Sequence, residues 1–454
     1  MKPDSSSHDI DIIKDFPYFE DFEGALAVKK SKSEYDPHEH VNSVFEIGFV
    51  GASVHLICAA VGTTILLTPF AFRLVGYGVA ITAMAFASVL YVNNLHSLLW
   101  TEYQLCKMLK VQKLTFVSVV QRSFEVAPEN LQLFGSFLKS LMYVYWVLPF
   151  ANGIYLIVIS DGCRAILNDQ RLQFDVTITV VLLVMMALCL LPRLWFLVPL
   201  SVLANIFILL NLAIISITSI DVNQWTEAKF VGDLDKLPQF LSIFSSTIGM
   251  TAMVIPLKNE MSNPKEFTAR FGVLNTSFGV LSLIIGSFGL LGYLNYGANV
   301  EKNILLNLPA ESWLTSIVLI SYSSSLCITY ILIFYTYEDT MWNGFLITRL
   351  KGSRYETTCK YCLRVSINIA AYGMAVTIHD LNLLVSIVGT MAILIEVCLP
   401  SVLHLLVSRV VPTKPSARRF LVIKNSVVII LSTIIFGMSM NTCVSGVIKL
   451  YKKK

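Results

Sequence analysis

Charge is scarce in this chain. Asp, Glu, Lys and Arg supply 14% of its 454 residues, where a soluble domain carries about 25%. With 55% hydrophobic residues and a mean hydropathy of +0.68, too little polar surface exists to coat a water-exposed body of this size. An excess of one charge sign is also missing. The net charge of +4 and pI of about 8.4 give no strong basic field, so no nucleic-acid partner is expected. A second cysteine pair at metal spacing is missing too. Cys359 and Cys362 form a lone CxxC beside a basic loop, so they read as two ordinary thiols and no metal site is expected. Neither G-x-S-x-G, H-E-x-x-H nor a phosphate-binding Gly-rich loop occurs, so enzymatic chemistry has no support and no catalytic residue is assigned. No cleavable signal is visible, because the first 48 residues are polar and rich in acid. Without apolar periodicity, 1–48 reads as a disordered cytosolic tail.

What remains is long apolar runs. A bilayer crossing needs about 20 predominantly apolar residues. Eleven runs of that kind lie near 49–74, 78–100, 132–160, 174–192, 195–218, 238–258, 270–297, 312–338, 361–378, 381–408 and 420–446. They predict one all-α, multi-pass membrane domain over 49–446, followed by a basic tail over 447–454, with the lipid bilayer as its solvent. Lys and Arg set the expected orientation. Placing the N-terminus in the cytosol puts 24 of the 34 basic residues on the cytosolic side. The lysines at 449 and 452–454 are the misfit. The seventh run is rich in glycine (Gly272, Gly279, Gly286, Gly289 and Gly292), which reads as close helix packing in lipid.

Two runs share an internal echo. The first contains Val61-Gly62-Thr63-Thr64-Ile65-Leu66-Leu67-Thr68-Pro69-Phe70, and the sixth contains Ile248-Gly249-Met250-Thr251-Ala252-Met253-Val254-Ile255-Pro256-Leu257. Gly and Pro stand seven apart in both, with Thr two residues after Gly. Glycine weakens a helix, and proline removes a donor and frees a carbonyl one turn back. In hydrocarbon an opened backbone is tolerated only where it is buried in protein or lines a cavity. Paired interrupted helices in corresponding halves are therefore a pointer to a transporter's midplane site. Half-helix N-termini suit an anion, and half-helix C-termini with freed carbonyls suit a cation. A zwitterionic amino acid needs both. The alternative is two ordinary proline kinks.

At these residues the chain resembles the proton-coupled amino acid transporters of the amino acid/auxin permease group. The resemblance is carried by His55 through Pro69 with Gly76, and by Val254-Ile255-Pro256-Leu257-Lys258-Asn259-Glu260-Met261 with Asn263-Pro264-Lys265-Glu266-Phe267. It continues through Gly292-Tyr293-Leu294-Asn295-Tyr296-Gly297, then Asn303-Ile304 and Leu306-Asn307-Leu308-Pro309, and through Ser386-Ile387-Val388-Gly389 with Pro400. It implies a LeuT-type fold of eleven transmembrane helices, a 5+5 inverted repeat with helices 1 and 6 broken. It implies secondary active symport of a small neutral amino acid with a proton, the proton being the coupling ion and no cofactor being required. The substrate carboxylate would rest on Gly62, Thr63 and Thr64. Its ammonium would face the sixth-run break, through Phe244, Ser245, Gly249 and Thr251. His55, seven residues before Gly62 and on the same face, would couple the proton.

The chain also departs from the family pattern. Thr64 replaces a second glycine, and the acidic residue usual at the sixth-run break is absent, with Gly249 in its place. The family's extracytosolic disulfide would need a partner for Cys163, and the segment before the eighth run offers none. Glu396, inside the tenth run, reads first as a paired structural carboxylate and second as a further protonatable group. Asn152, Ser324 and Ser325 are polar candidates for a cavity wall, or simply bond across helices. A non-transporting amino acid sensor and a sodium-coupled symporter remain open, and a channel or receptor fits less well. The sequence leaves open the oligomeric state, the amino acid, and the choice between plasma and endolysosomal membrane.

Overall fold

A computed structural model describes residues 35–39, 47–128, 130–132, 134–135, 137–138, 150–167, 173–190, 197–218, 228–309, 312–342, 346, 354–412 and 415–452. Among these residues the regular structure is helical, apart from one isolated bridge between Ile47 and Met261. The helices are α1 (Phe49–Ala60), α2 (Thr68–Val75), α3 (Tyr77–Leu109), α4 (Phe116–Glu125), α5 (Phe150–Leu167), α6 (Phe174–Cys189) and α7 (Leu197–Thr218). They continue as α8 (Leu237–Ile248), α9 (Thr251–Asn259), α10 (Val273–Tyr296), α11 (Trp313–Met341), α12 (Glu356–Thr377), α13 (Leu381–Ala392), α14 (Leu399–Ser408) and α15 (Pro415–Lys452). Helix occupies most of the described part of each apolar run, interrupted in the first at Val61–Gly62 and in the sixth at Gly249–Met250. Residues 139–149 of the third run, and most of 1–48, lie outside the described residues.

By length and composition, six helices among the described residues can cross a membrane: Tyr77–Leu109, Leu234–Asn259, Val273–Asn299, Trp313–Tyr335, Leu381–Ser408 and Pro415–Lys452. Shorter apolar helices are Thr63–Val75, Phe174–Cys189 and Val202–Ile217. Their outer faces are apolar. Val180, Leu183 and Val184 on α6, and Ile423, Ile430 and Ile434 on α15, are all exposed. Such surface suits acyl chains and not water. Inside, α8 packs on α13, α5 on α11 and α12, α10 on α1 and α2, and α14 on α3. The glycine-rich face expected to mediate packing does so at three places. A Cβ on Gly286, Gly289 or Gly292 would come within 2.5–2.7 Å of Met84, Phe72 or Pro69. Arg364 of α12 ties α11 to α6, bonding Glu338 at 2.8 Å and the last carbonyls of α6, Cys189 and Leu190, at 3.3 and 3.4 Å.

Residues 35–39 dock on the end of the bundle that the basic residues assign to the cytosol. Pro37 is buried, Asp36 pairs with Lys265 at 2.9 Å, and Tyr103 donates its hydroxyl to Asp36 at 3.3 Å. Ile47 exchanges backbone hydrogen bonds with Glu260 and Ser262 just after α9. His38 stacks on Tyr103 with ring centroids 4.8 Å apart. Burial, reinforced by Lys258 and Lys265 and opposed by Asp36, pushes its pKa down to about 4. The docked form therefore holds the neutral imidazole, whereas a free histidine takes a proton near pH 6.5. Docking is thus at full strength above about 6.5 and weakens as the pH falls from there towards about 4. Burial alone would raise the Asp36 carboxyl, but hydrogen bonds from Lys265 and the His38 N–H outweigh it and hold the group below its usual value, so its ion pair outlasts the histidine. Relative to the intrinsic rate, which itself falls with pH, amide exchange over 35–39 is expected to rise by about tenfold or more between pH 7 and pH 5 in the wild type. In His38→Phe, which keeps the stacking, the rate should follow the intrinsic pH dependence alone.

Candidate functional site

Both Gly–Pro runs open at the glycine. In the first, α1 ends at Ala60, and Val61 and Gly62 take extended backbone angles (φ −79°, ψ 90° and φ −121°, ψ −153°). A 3-10 turn over Thr63–Leu67 then leads into α2. Pro69 lacks the N–H that would bond the Ile65 carbonyl in a continuous α-helix. The Thr68 hydroxyl donates to that carbonyl instead, at 2.8 Å. In the sixth run, α8 ends at Ile248, Gly249 is extended (φ −65°, ψ 105°), and α9 starts at Thr251 with Pro256 inside it. The prolines thus sit on the far half-helix in each case, and the chain parts at the residue with no side chain.

The first opening is surrounded by tyrosines. Tyr322 of α11 donates its hydroxyl to the Gly62 carbonyl at 3.3 Å. The Tyr155 hydroxyl of α5 lies 3.0 Å from where a Cβ on Gly62 would sit, and it bonds the Thr63 side chain. Thr63 is buried and Thr64 half-buried. One turn before Tyr155, Asn152 is 0% exposed, and neither atom of its amide has a partner among the described residues. An orphaned buried amide costs about 1–3 kcal/mol, so this wall carries unused hydrogen-bonding capacity. Ser325 spends its hydroxyl on the Ser321 carbonyl at 2.8 Å, and Ser324 is exposed.

The second opening holds a group that the sequence places elsewhere. Between α13 and α14 the helix widens into π geometry over Ile393–Cys398, and this segment carries Glu396 to Gly249. A Cβ on Gly249 would stand 2.7 and 2.9 Å from the two carboxyl oxygens. Tyr91 of α3 donates its hydroxyl to Glu396. The same tyrosine oxygen accepts the Met250 N–H at 2.9 Å and pairs with the Thr251 hydroxyl at 3.2 Å. The break expected to lack an acid therefore contains one, supplied across the bundle and bonded to a hydroxyl, not to a cation.

The expected site residues separate into groups. Gly62, Thr63 and Thr64 stand at the first opening, and Gly249 and Thr251 at the second. The α8 half-helix packs against the Thr63–Leu67 turn, which brings the two openings to one region. Phe244 and Ser245 face an apolar groove bordered by α3, α8, the π segment and α15, and Phe244 stacks parallel to Phe240 at 6.3 Å. His55 lies on an exposed face of α1, with no hydrogen-bond partner among the described residues. Tyr91, Tyr155 and Tyr322 went unremarked in the sequence. Each sits inside an apolar run, where a tyrosine and a phenylalanine read alike.

The profile of the family described as Transmembrane amino acid transporter protein matches residues 46–445. The chain belongs to that family. The chain is also similar to curated proteins of two animals. A Drosophila melanogaster protein named proton-coupled amino acid transporter-like protein pathetic is 26% identical over 359 residues, covering 78% of this chain and 76% of that one. A Caenorhabditis elegans protein named probable amino acid transporter skat-1 is 28% identical over 204 residues, 42% of each chain. Among solved structures, the chain is similar to Mhp1, a nucleobase-cation-symport-1 family transporter in a closed conformation with bromovinylhydantoin bound. That match has 10% identity and a TM-score of 0.44, covering 92% of this chain and 96% of the other. This amino acid transporter family member is an integral, multi-pass membrane protein.

Proposed function

We propose that the protein is a secondary active transporter that moves small neutral amino acids together with protons, through a LeuT-type inverted repeat. The observation that carries this is the pair of helix openings at Gly62 and Gly249, each with backbone released from helical bonding and ringed by buried hydroxyls. The N–H groups of Thr63 and Thr64 begin a helical turn and suit the substrate carboxylate. The last carbonyls of α8, around Ser245 to Ile248, suit its ammonium. Phe244 would border the side-chain end of the pocket. Asn152 supplies a further polar contact from α5. A site with little room beside Tyr155 and Tyr322 favours a small side chain. Proton coupling agrees with the name of the Drosophila relative, and His55, two turns before Gly62, is the coupling group that the family resemblance implies.

The test is uptake of labelled alanine, glycine, proline and leucine, each in turn, across a grid of external pH and sodium in transport-deficient cells. Uptake of at least one is expected to rise as external pH falls and to be indifferent to sodium. Uptake that follows sodium at constant pH would replace the proton with sodium. Amino-acid-dependent thermal stabilisation with no flux would make the protein a sensor.

A further inference from the structure

The Glu396 carboxyl is 7% exposed and fills the space that a side chain at position 249 would otherwise take. Among the described residues, no cation reaches it. Among the described residues, Tyr91 on α3 is the titratable side chain that reaches it. Further along α3, Glu102 is paired with Lys258 of α9. On α14, His404 bonds Asn425 at 3.1 Å, and on α15, Lys424 reaches Asn93 and Ser97 at 3.2 and 3.5 Å. Cys443 of α15 meets Thr390 of α13 at 3.6 Å. The flanking stretch of α8 presents Leu241, Phe244, Ser245 and Ile248, none of which ionises. Each of these positive or ionisable groups is thus bonded to a partner other than Glu396.

Charge in such a place is costly. An isolated buried carboxylate neutralises itself by taking a proton unless a cation joins it. The hydrogen bond from Tyr91 stabilises the anion and offsets part of that cost. The Tyr91 hydroxyl has one proton, which it gives to one carboxyl oxygen, and its own oxygen is occupied by Met250 and Thr251. The second carboxyl oxygen has no partner among the described residues and lies against Gly249, where α8 ends. A helix end leaves its last carbonyls without N–H partners. An ionised carboxylate can only accept, whereas a protonated carboxyl also donates, and a donor is what an α8 terminus lacks. The arrangement seen, with the carboxyl buried in the Gly249 notch, therefore selects the protonated acid. Once the break opens to water, hydration stabilises the anion and the proton leaves.

We propose that Glu396, held in the Gly249 notch by Tyr91, is the group that carries the transported proton, so that proton binding and closure of the α8–α9 break are one event. This rests on the proton-symport reading above and adds a carrier to it at the break opposite His55. The position of the acid is what makes the coupling direct. Met250 and Thr251, which open α9, are bonded to the same tyrosine that bonds the carboxyl. A change at Glu396 is felt at the first residues of α9 through a single shared oxygen.

The experiment uses the full-length protein in liposomes with an imposed pH gradient and the amino acid that the wild type moves fastest in the uptake panel. Two signals are read, gradient-driven accumulation and gradient-free exchange of labelled for unlabelled substrate. Glu396→Gln keeps a group that can accept from Tyr91 but does not titrate. It is expected to retain exchange while accumulation falls to the level seen without a gradient. A double variant, Gly249→Asp with Glu396→Ala, returns a carboxyl to the notch from the other side, and there gradient drive is expected to reappear. His55→Ala runs in parallel. Gradient-driven accumulation by Glu396→Gln at the wild-type level overturns the proposal, and its loss in His55→Ala alone would place coupling on α1. Where Glu396→Gln does not fold, exchange without gradient drive in the folded double variant overturns it equally. Failure of the wild type itself to respond to the gradient is a different outcome and sinks the symport reading.

Discussion

Gly389→Ala is expected to leave almost no assembled protein in the membrane. Gly389 lies on α13 where that helix crosses α8, and a Cβ there would stand 1.7 Å from the carbonyl oxygen of Ser242 and 2.5 Å from its carbon. The obstructing atoms are backbone, so no rotamer change relieves the overlap. The α8 half-helix would have to retreat bodily. It is held against retreat on two sides. The Ser242 hydroxyl meets Thr390 of α13 at 3.1 Å, and the carbonyl of Pro238 accepts hydroxyls from Ser242 and from Ser439 of α15, each at 3.0 Å. Overpacking a core costs about 1–3 kcal/mol when side chains can adjust, and a backbone collision belongs at or above the top of that range. Detergent-solubilised protein should show a lowered thermal midpoint and a diminished monodisperse peak on size exclusion. Gly437→Ala on α15, where nothing stands within 4 Å of the added carbon, is the control and should behave as wild type. A wild-type midpoint for Gly389→Ala would show that α8 and α13 do not approach so closely.

That crossing also marks where sequence reasoning stops. Gly62 and Gly249 were found as break points because helix opening is a local property. It follows from a residue without a side chain and a proline seven positions on, and both lie in one stretch of chain. The apolar runs were legible for the same reason, since hydrophobic length is counted along the sequence. Gly389, by contrast, is one glycine among 23. Its importance comes from Ser242, nearly 150 residues earlier. The acid at the second break was missed in the same way. Position 249 has no carboxyl, and reading along α8 and α9 correctly finds none there. The group arrives from position 396, turned towards Gly249 by a π segment that adds a residue to one turn. Nothing in the hydropathy of 381–408 signals that widening. Tyr91 and Asn152 were illegible because their roles depend on which helix faces them. One signal was available. Glu396 is the sole acid in the 381–408 run, and an intramembrane carboxyl with no basic residue at helical spacing calls for a partner on another helix.

Lys258→Met is the second large effect, expected to destabilise the fold by about 3–5 kcal/mol. Lys258 near the end of α9 is 4% exposed, and its ammonium bonds the carboxylate of Glu102, on α3, which is 1% exposed. The other oxygen of Glu102 accepts the Cys106 thiol at 3.6 Å. Removing the lysine leaves a buried anion with only a thiol for company, and that uncompensated charge is the source of the cost. Removing both charges removes the cause. Glu102→Gln with Lys258→Met should therefore recover most of the lost stability, and Glu102→Gln alone should strand the ammonium and fall with the first variant. Thermal unfolding of the four proteins gives the coupling directly. Equal losses in the single and double variants would show that the packing of the methylene stem, and not the charge, holds α9 to α3. The pair has a further consequence for the break. The α9 half-helix has nine residues, with Tyr91 bonded at its first turn and Glu102 at its last, and both partners project from α3. Position 258 is two turns from Thr251 along α9, while positions 91 and 102 are three turns apart along α3. The half-helix is therefore pinned to one neighbour at both ends. When the break opens, α9 can either carry α3 with it or release one of the two bonds. The double variant separates these cases. With the charge pair removed and the fold retained, slower exchange would mean that α9 and α3 move as one body, and faster exchange would mean that the pair is released in each cycle.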